Sequence, residues 1–382
     1  MFNTIPITVL SVLGGLLVAT LIPSYYRSKN VPVLLSIFWL LITCICNTLN
    51  TAGWQDSTAI KWVPYCEISI RVVYASTFAL QCCSLLLLSR LEAIAATRYV
   101  SLTESAKKRR MIVELTVGLI LPILFIALGI VSQGHRYDII ENFGPVISIY
   151  PTALSIIFST APVLLASVIA VLYACACAWW LFLRRRQLSA VLSSSGSGVS
   201  LSQYVRLFGL SCMELAWTVP INWTVQMQNL FNRYGTGSVL YPYSSWASVH
   251  AGFSYIGQYT IEELEATPVG KKNLPILYLG SVSIAISCIL FMAFLGTSNE
   301  VSKDLASRFR RIFGALRPSS KPLQRESSRQ MSLSDSLSFS QPPLSPDLEL
   351  KHNDDLKSED IQIEILVERT CYQDPNSHKI AL

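Results

Sequence analysis

A chain of 382 residues that is 51% apolar and only 14% charged carries more hydrophobic surface than one soluble core of that length can bury. Its formal net charge of +6 would suit a polyanion in a soluble protein, but the basic residues stand in short segments between apolar runs. That distribution reads as membrane orientation and not as nucleic-acid binding. Most of the ten cysteines lie inside apolar runs as small hydrophobes, none has metal-ligand spacing, and no cofactor is implied.

A spanning helix needs about 20 apolar residues to cross a hydrocarbon core of about 30 Å, and seven runs have that length. The first, Ile5 to Tyr26, is followed by Arg27 and Lys29 and preceded by no basic residue, so it reads as a span and not as a signal peptide. Val31 to Leu49 is almost wholly apolar. Ile68 to Thr97 begins beside Glu67 and Arg71, whose i, i+4 spacing places both on one helix face near the membrane surface. The pair is either a salt bridge that anchors the helix end or a ligand contact. At the other end of this run, Arg90 and Glu92 have side chains long enough to snorkel to the interface.

Met111 to Val131 contains Pro122, Ala153 to Leu183 contains Pro162, and Gln203 to Val225 contains Pro220. Each proline is expected to kink its helix, with neighbours satisfying the freed carbonyl. An ionisable residue inside a span is costly enough to suggest a function, and Glu214 is one, three residues before Trp217 and six before Pro220. It is either a protonated packing group or, beside a kink, a switch or a ligand contact. The sequon Asn222-Trp223-Thr224 falls at the end of the same run, where it reads as buried rather than glycosylated. Leu274 to Gly296 is the seventh run, and it holds no lysine for a retinal Schiff base.

Counting Lys and Arg in alternate loops sets the orientation. Arg27, Lys29, Arg98, Lys107 to Arg110, Arg184 to Arg186, Lys303, Arg308, Arg310 and Arg311 fall on one side, against Lys61, Arg136, Arg233, Lys271 and Lys272 on the other. The richer side is cytosolic, which puts the N-terminus outside and the C-terminus inside. The expectation is an all-α membrane protein in the plasma membrane: a seven-transmembrane helix bundle over 1–297, an amphipathic interfacial helix over 298–317, and a disordered Ser-rich cytosolic tail over 318–382. Ser332, Ser334, Ser336 and Ser338 in that tail are candidates for regulatory phosphorylation. No intramembrane protease dyad or metal box is present, so an enzyme is not expected.

The loops and helix ends resemble those of fungal mating pheromone receptors of the a-factor-receptor type, class D among G-protein-coupled receptors. The resemblance covers roughly residues 5 to 300. It rests on Asn47 and Asn50 before Trp54, on Trp62 and Cys66-Glu67-Ile68, on Gln133-Gly134-His135-Arg136-Tyr137-Asp138-Ile139 followed by Glu141, on Arg184 to Arg186, on Gln203-Tyr204-Val205-Arg206-Leu207, and on Trp246-Ala247-Ser248-Val249-His250. It implies a farnesylated peptide ligand and a heterotrimeric G protein as partners, with membrane lipids around both. Many family members carry a cysteine after the glycine of the second outer loop, where this sequence has Gly144-Pro145, and usually an Arg-Tyr pair where it has Gln203-Tyr204.

Ligand contacts are expected from Trp54, Glu67, Arg71, Tyr74, His135, Arg136, Glu141, Glu214, Trp217, Trp246 and His250. G-protein coupling is expected from Arg90, Arg184, Arg185, Arg186 and Arg206. The alternative is a small seven-helix membrane carrier or channel, which would need a continuous polar path that the nearly uncharged first, second and seventh runs do not offer.

Overall fold

Apolar runs without water must close their own backbone hydrogen bonds, and the chain does so as long helices. The computed structural model describes residues 4–96, 104–183, 201–231, 241–297, 301–304, 306, 307 and 310. Among these residues, six helices are long and apolar enough to cross a bilayer: α1 (Ile5–Arg27), α2 (Val31–Gly53), α3 (Val63–Ala95), α4 (Glu104–Val131), α5 (Ala153–Leu183) and α7 (Pro268–Gly296). Between α5 and α7 runs a further long helix, α6 (Leu201–Phe231), packed against α3, α5 and α7. The chain is therefore a helical membrane bundle. Several helices outrun their apolar stretches; α3 begins at Val63, so Glu67 and Arg71 stand on its second and third turns. Residues 301–304 of the expected interfacial helix are helical, and Asp304 accepts a hydrogen bond from Ser24 Oγ at 2.9 Å. The tail, with its serines, lies outside the described residues.

The bundle centres on α3, which packs against α2, α4, α5 and α6. Close approach of α1 is set by small residues: a Cβ on Gly14 would lie 3.0 Å from Cys288 Cβ on α7, and one on Gly15 would lie 3.3 Å from Cys44 Cβ on α2. Two of the three prolines leave a common mark. Thr116–Ile120 and Ile156–Thr160 are π-turns, each ending two residues before a proline, where a wider turn makes room for a ring that clashes with the carbonyl four residues back. For Pro122 that carbonyl is Gly118 O, and it accepts instead from Trp39 Nε1 on α2 at 2.9 Å.

The bundle is capped by a feature absent from the all-helical expectation. Three strands, β1 (Tyr137–Ile140), β2 (Gly144–Val146) and β3 (Ile256–Tyr259), form a sheet in the order β2-β1-β3. β1 pairs antiparallel with β2 and parallel with β3, with Tyr137 opposite Ile256 and Ile140 opposite Tyr259. Tyr137 and Ile139 point into a cluster with Trp54, Cys66 and Ile70, which fastens the sheet to the ends of α2 and α3. The turn from β1 to β2 needs left-handed backbone at Asn142 (φ 66) and Gly144 (φ 77). Asn142 N donates to Trp54 O at 2.9 Å, and its side-chain oxygen accepts from Asp56 N at 2.9 Å. At Gly144 a Cβ would also meet Asn50 Cβ at 3.0 Å. Gly144→Ala is therefore expected to destabilise the sheet by about 1–3 kcal/mol. A thermal midpoint of the solubilised protein equal to the parent's would show that the turn relaxes instead.

Candidate functional site

The sheet and the helix ends enclose a cavity of about 610 Å³. Its walls come from α2, α3, α5, α6, α7 and all three strands. Ile70, Val73, Leu80, Phe143, Ile147, Ile221, Val225, Leu274, Leu277 and Ile284 make it largely apolar. Polar lining is supplied mainly by neutral groups: Asn47, Asn50, Thr77, Gln81, Thr218, Asn222, Gln226, Asn273 and Ser287. The two ionisable lining residues other than tyrosines, His135 and Asp138, face each other at 2.6 Å from Nε2 to Oδ1, and Ser148 Oγ meets His135 Nδ1 at 3.0 Å. The space thus suits an apolar body with uncharged hydrogen-bonding groups.

Side chains that line the cavity also tie the helices together. Gln81 Nε2 on α3 donates to Thr218 Oγ1 on α6 at 3.0 Å, and its Oε1 accepts from Ser167 Oγ on α5 at 3.4 Å. Thr160 Oγ1 on α5 donates to Gln226 Oε1 on α6 at 3.2 Å. Asn47 Nδ2 on α2 donates to Ser11 Oγ on α1 at 2.8 Å and to Ser281 O on α7 at 3.3 Å. Tyr74 OH donates to Ser159 Oγ at 2.7 Å, while its ring stacks on Phe125 at 4.5 Å.

Of the eleven residues expected to meet a ligand, the cavity brings together Tyr74 and His135; the other nine stand elsewhere. Trp54 is fully buried under the sheet, donating from Nε1 to Ala59 O at 2.9 Å. Glu67 is the hub of an ionic triad at the sheet side of α3: Arg71 Nη1 donates to its Oε2, and Arg136 Nε to its Oε1 at 2.5 Å. That hydrogen bond raises the Arg136 guanidinium above its ordinary value. The triad joins α3 to the segment entering β1, so the Glu67–Arg71 salt bridge is present and has Arg136 as a third member. Glu141 Oε2 accepts from Ile261 N at 2.8 Å, at the start of the short helix Ile261–Ala266. Trp246 is exposed and stacks on His250 at 3.9 Å, and His250 Nε2 lies 3.1 Å from Ile130 O.

Glu214 is buried within the α6–α7 seam, where its Oε1 accepts from Ser287 Oγ at 2.7 Å, and Trp217 Nε1 is buried nearby on the same helix. At the other end of the bundle, Arg90 Nη1 donates to Asn30 Oδ1 at 3.2 Å, whereas Glu92 is buried and accepts from Trp180 Nε1 at 3.2 Å. Glu92 therefore does not snorkel, because an indole donor on α5 satisfies it inside the bundle. Arg206 is half-buried, and Arg184, Arg185 and Arg186 lie outside the described residues. Cys66 is a free, buried thiol. Asn222 of the sequon faces the cavity.

A search for ionisable groups passes over the neutral polar lining. The available signal is the repeat of amides and hydroxyls at helical spacing inside apolar runs, Thr77 with Gln81 and Asn222 with Gln226, which marks a wet face.

Comparison with known proteins matches residues 6–315 to the family model described as pheromone A receptor. Similar proteins include pheromone receptor 1 of Ustilago hordei, 32% identical over 278 residues that cover 72% of this chain and 75% of the relative. Pheromone receptor 2 of Mycosarcoma maydis is 31% identical over 295 residues, covering 77% and 83%. The pheromone a factor receptor of Saccharomyces cerevisiae is 24% identical over 204 residues, covering 52% and 43%. With the family model spanning most of the bundle, this multi-span membrane protein belongs to the pheromone A receptor family.

Proposed function

We propose that this chain is a G-protein-coupled receptor of the plasma membrane that binds an extracellular farnesylated peptide mating pheromone and activates a heterotrimeric G protein. The observation that carries the reading is the sheet-capped cavity of about 610 Å³, apolar along most of its wall and lined by neutral amides and hydroxyls elsewhere. A prenyl chain gains about 25 cal/mol per Å² of apolar surface removed from water, and a peptide main chain is matched by carboxamides such as Asn222 and Asn273. The names of the relatives, pheromone receptor and pheromone a factor receptor, support the same class of ligand.

The count of basic residues supports an N-terminus outside and a C-terminus in the cytosol. Residues 1–297 then form the receptor domain and 298–317 lie along the inner leaflet. Arg90, Arg184 to Arg186 and Arg206 offer the G-protein contact. The tail over 318–382 tunes signal duration through Ser332, Ser334, Ser336 and Ser338.

The test is expression in a mating-reporter strain that lacks its own receptor, challenged with synthetic farnesylated peptides. At least one peptide is expected to signal, and Ile221→Trp, which fills the cavity, is expected to reduce that response at least tenfold at equal surface level. Silence to every peptide, with surface expression confirmed, overturns the reading. Solute uptake without guanine-nucleotide exchange in reconstituted vesicles would favour a carrier.

A further inference from the structure

Two buried polar atoms of α6 have no partner among the described residues: Glu214 Oε2, in the α6–α7 seam, and Trp217 Nε1, one turn further on. They stand three residues apart and so share one side of α6. Native interiors leave few such atoms, and each costs free energy comparable to a lost hydrogen bond. Glu214 is 3% exposed, and its one hydrogen bond among the described residues comes from Ser287 Oγ. The packing of α6 on α7 thus joins apolar contacts, such as Gly209 against Phe294, to the Ser287–Glu214 hydrogen bond and leaves Glu214 Oε2 unsatisfied beside it. A packing that satisfied either atom would recover part of that cost.

Ser287 also lines the cavity. Lining residues of α7 begin at Gly270, and Ser287 is the farthest of them from the sheet, about 25 Å along the helix at 1.5 Å per residue. A hydroxyl has one proton to give, and here it is committed to Glu214. A carbonyl oxygen on a molecule that reaches this end of the cavity competes for that proton. The two sides of the seam differ in where they are held: α6 is tied to α3 and α5 through Thr218 and Gln226, on the cavity side of Glu214. α7 is fastened to α1 and α2 by Asn47 on Ser281 O, by Cys44 Sγ against Cys288 Sγ at 3.4 Å, and by Gly14 under Cys288. α6 carries Pro220 between Glu214 and the lining residues Ile221, Asn222 and Gln226, and the missing N–H loosens the helix there.

We infer that Ser287 and Glu214 form a latch holding the Arg206-bearing half of α6 against α7 in the unliganded receptor, and that a hydrogen-bond acceptor on the ligand opens it by drawing away the Ser287 hydroxyl. The inference rests on the receptor reading above and names how the cavity is linked to the far end of α6. Binding shifts the equilibrium because the ligand meets a free Ser287 hydroxyl only in the opened state. Ser287 acts here as a positioning residue for Glu214.

The test uses the full-length chain in the reporter strain, with surface levels matched. Without peptide, Ser287→Ala and Glu214→Leu are each expected to raise basal signalling about two- to tenfold, the range for loss of one net hydrogen bond. The double variant should rise no further than the larger single one, because both remove the same contact. Ser287→Thr keeps a hydroxyl and is expected to stay within about twofold of the parent, a result that loss of packing alone does not give. Basal signalling at the parental level in both single variants, or effects that multiply in the double, overturns the latch. If Ser287→Ala fails to reach the surface, Glu214→Leu decides alone, a rise supporting the latch and a parental level overturning it. A parent that answers no peptide while the variants raise basal exchange refutes the ligand assignment and leaves the latch standing. A responsive parent with unchanged variants refutes the latch alone.

Discussion

Glu67→Ala is expected to remove most of the agonist response and to lower the amount of receptor at the surface. The carboxylate answers two guanidinium groups at once, Arg71 on its own helix and Arg136 at the entry to β1. Deleting it leaves two neighbouring cations, with side chains 27% and 37% exposed, facing each other without a counter-charge. Breaking a fully buried pair from one side costs about 3–5 kcal/mol; with solvent reaching these groups, about 1–3 kcal/mol is the fair expectation. The loss falls on the link between α3 and the sheet, so the cavity roof loosens first. Glu67→Ala/Arg136→Ala removes one of the two cations and should recover about half of the lost thermal stability. A single variant that melts and signals like the parent would show that the triad anchors nothing.

Trp39→Phe is expected to cost about 1–3 kcal/mol, the penalty for leaving a buried carbonyl unpartnered. Trp39 is 4% exposed, and phenylalanine preserves most of its packing while losing the Nε1–H that serves Gly118 O. The reason this carbonyl needs an outside donor is that residue 122 is proline. Pro122→Ala restores a backbone N–H at the position that normally answers the carbonyl four residues back. The double variant Trp39→Phe/Pro122→Ala should therefore melt above Trp39→Phe alone. Thermal denaturation of the solubilised receptor distinguishes the outcomes, and a double variant no better than the single one would assign the loss to indole packing.

How much of this was legible beforehand varies with the physics of each element. Apolar runs over Val31 to Leu49 and Ala153 to Leu183 locate α2 and α5 directly, because bilayer thickness dictates length. The starts of α3 and α7 are less visible, since a helix continues into water on local hydrogen bonds that hydropathy does not register. The Glu67–Arg71 pair follows from i, i+4 spacing, but its third member, Arg136, comes from a distant loop and has no local signature. Trp54 reads as ligand surface because it sits in a loop, yet the sheet covers it. The sheet was the hardest element to foresee. β1 and β3 are each four residues long and carry little alternation, and their pairing is decided by tertiary contact.

The parallel pairing of β1 with β3 also dictates an order of assembly. Tyr137 follows α4 and Ile256 precedes α7, so one strand leaves the ribosome well over a hundred residues before its partner, while α5 and α6 are still to be made. Non-local pairing of this kind closes a large loop before any contact rewards it. In a nascent chain β1 and β2 can form their hairpin alone, with one edge open until the last span follows. A mutation that delays insertion of α7 would thus expose that edge during biogenesis, and quality control could discard the receptor even when its finished fold is sound.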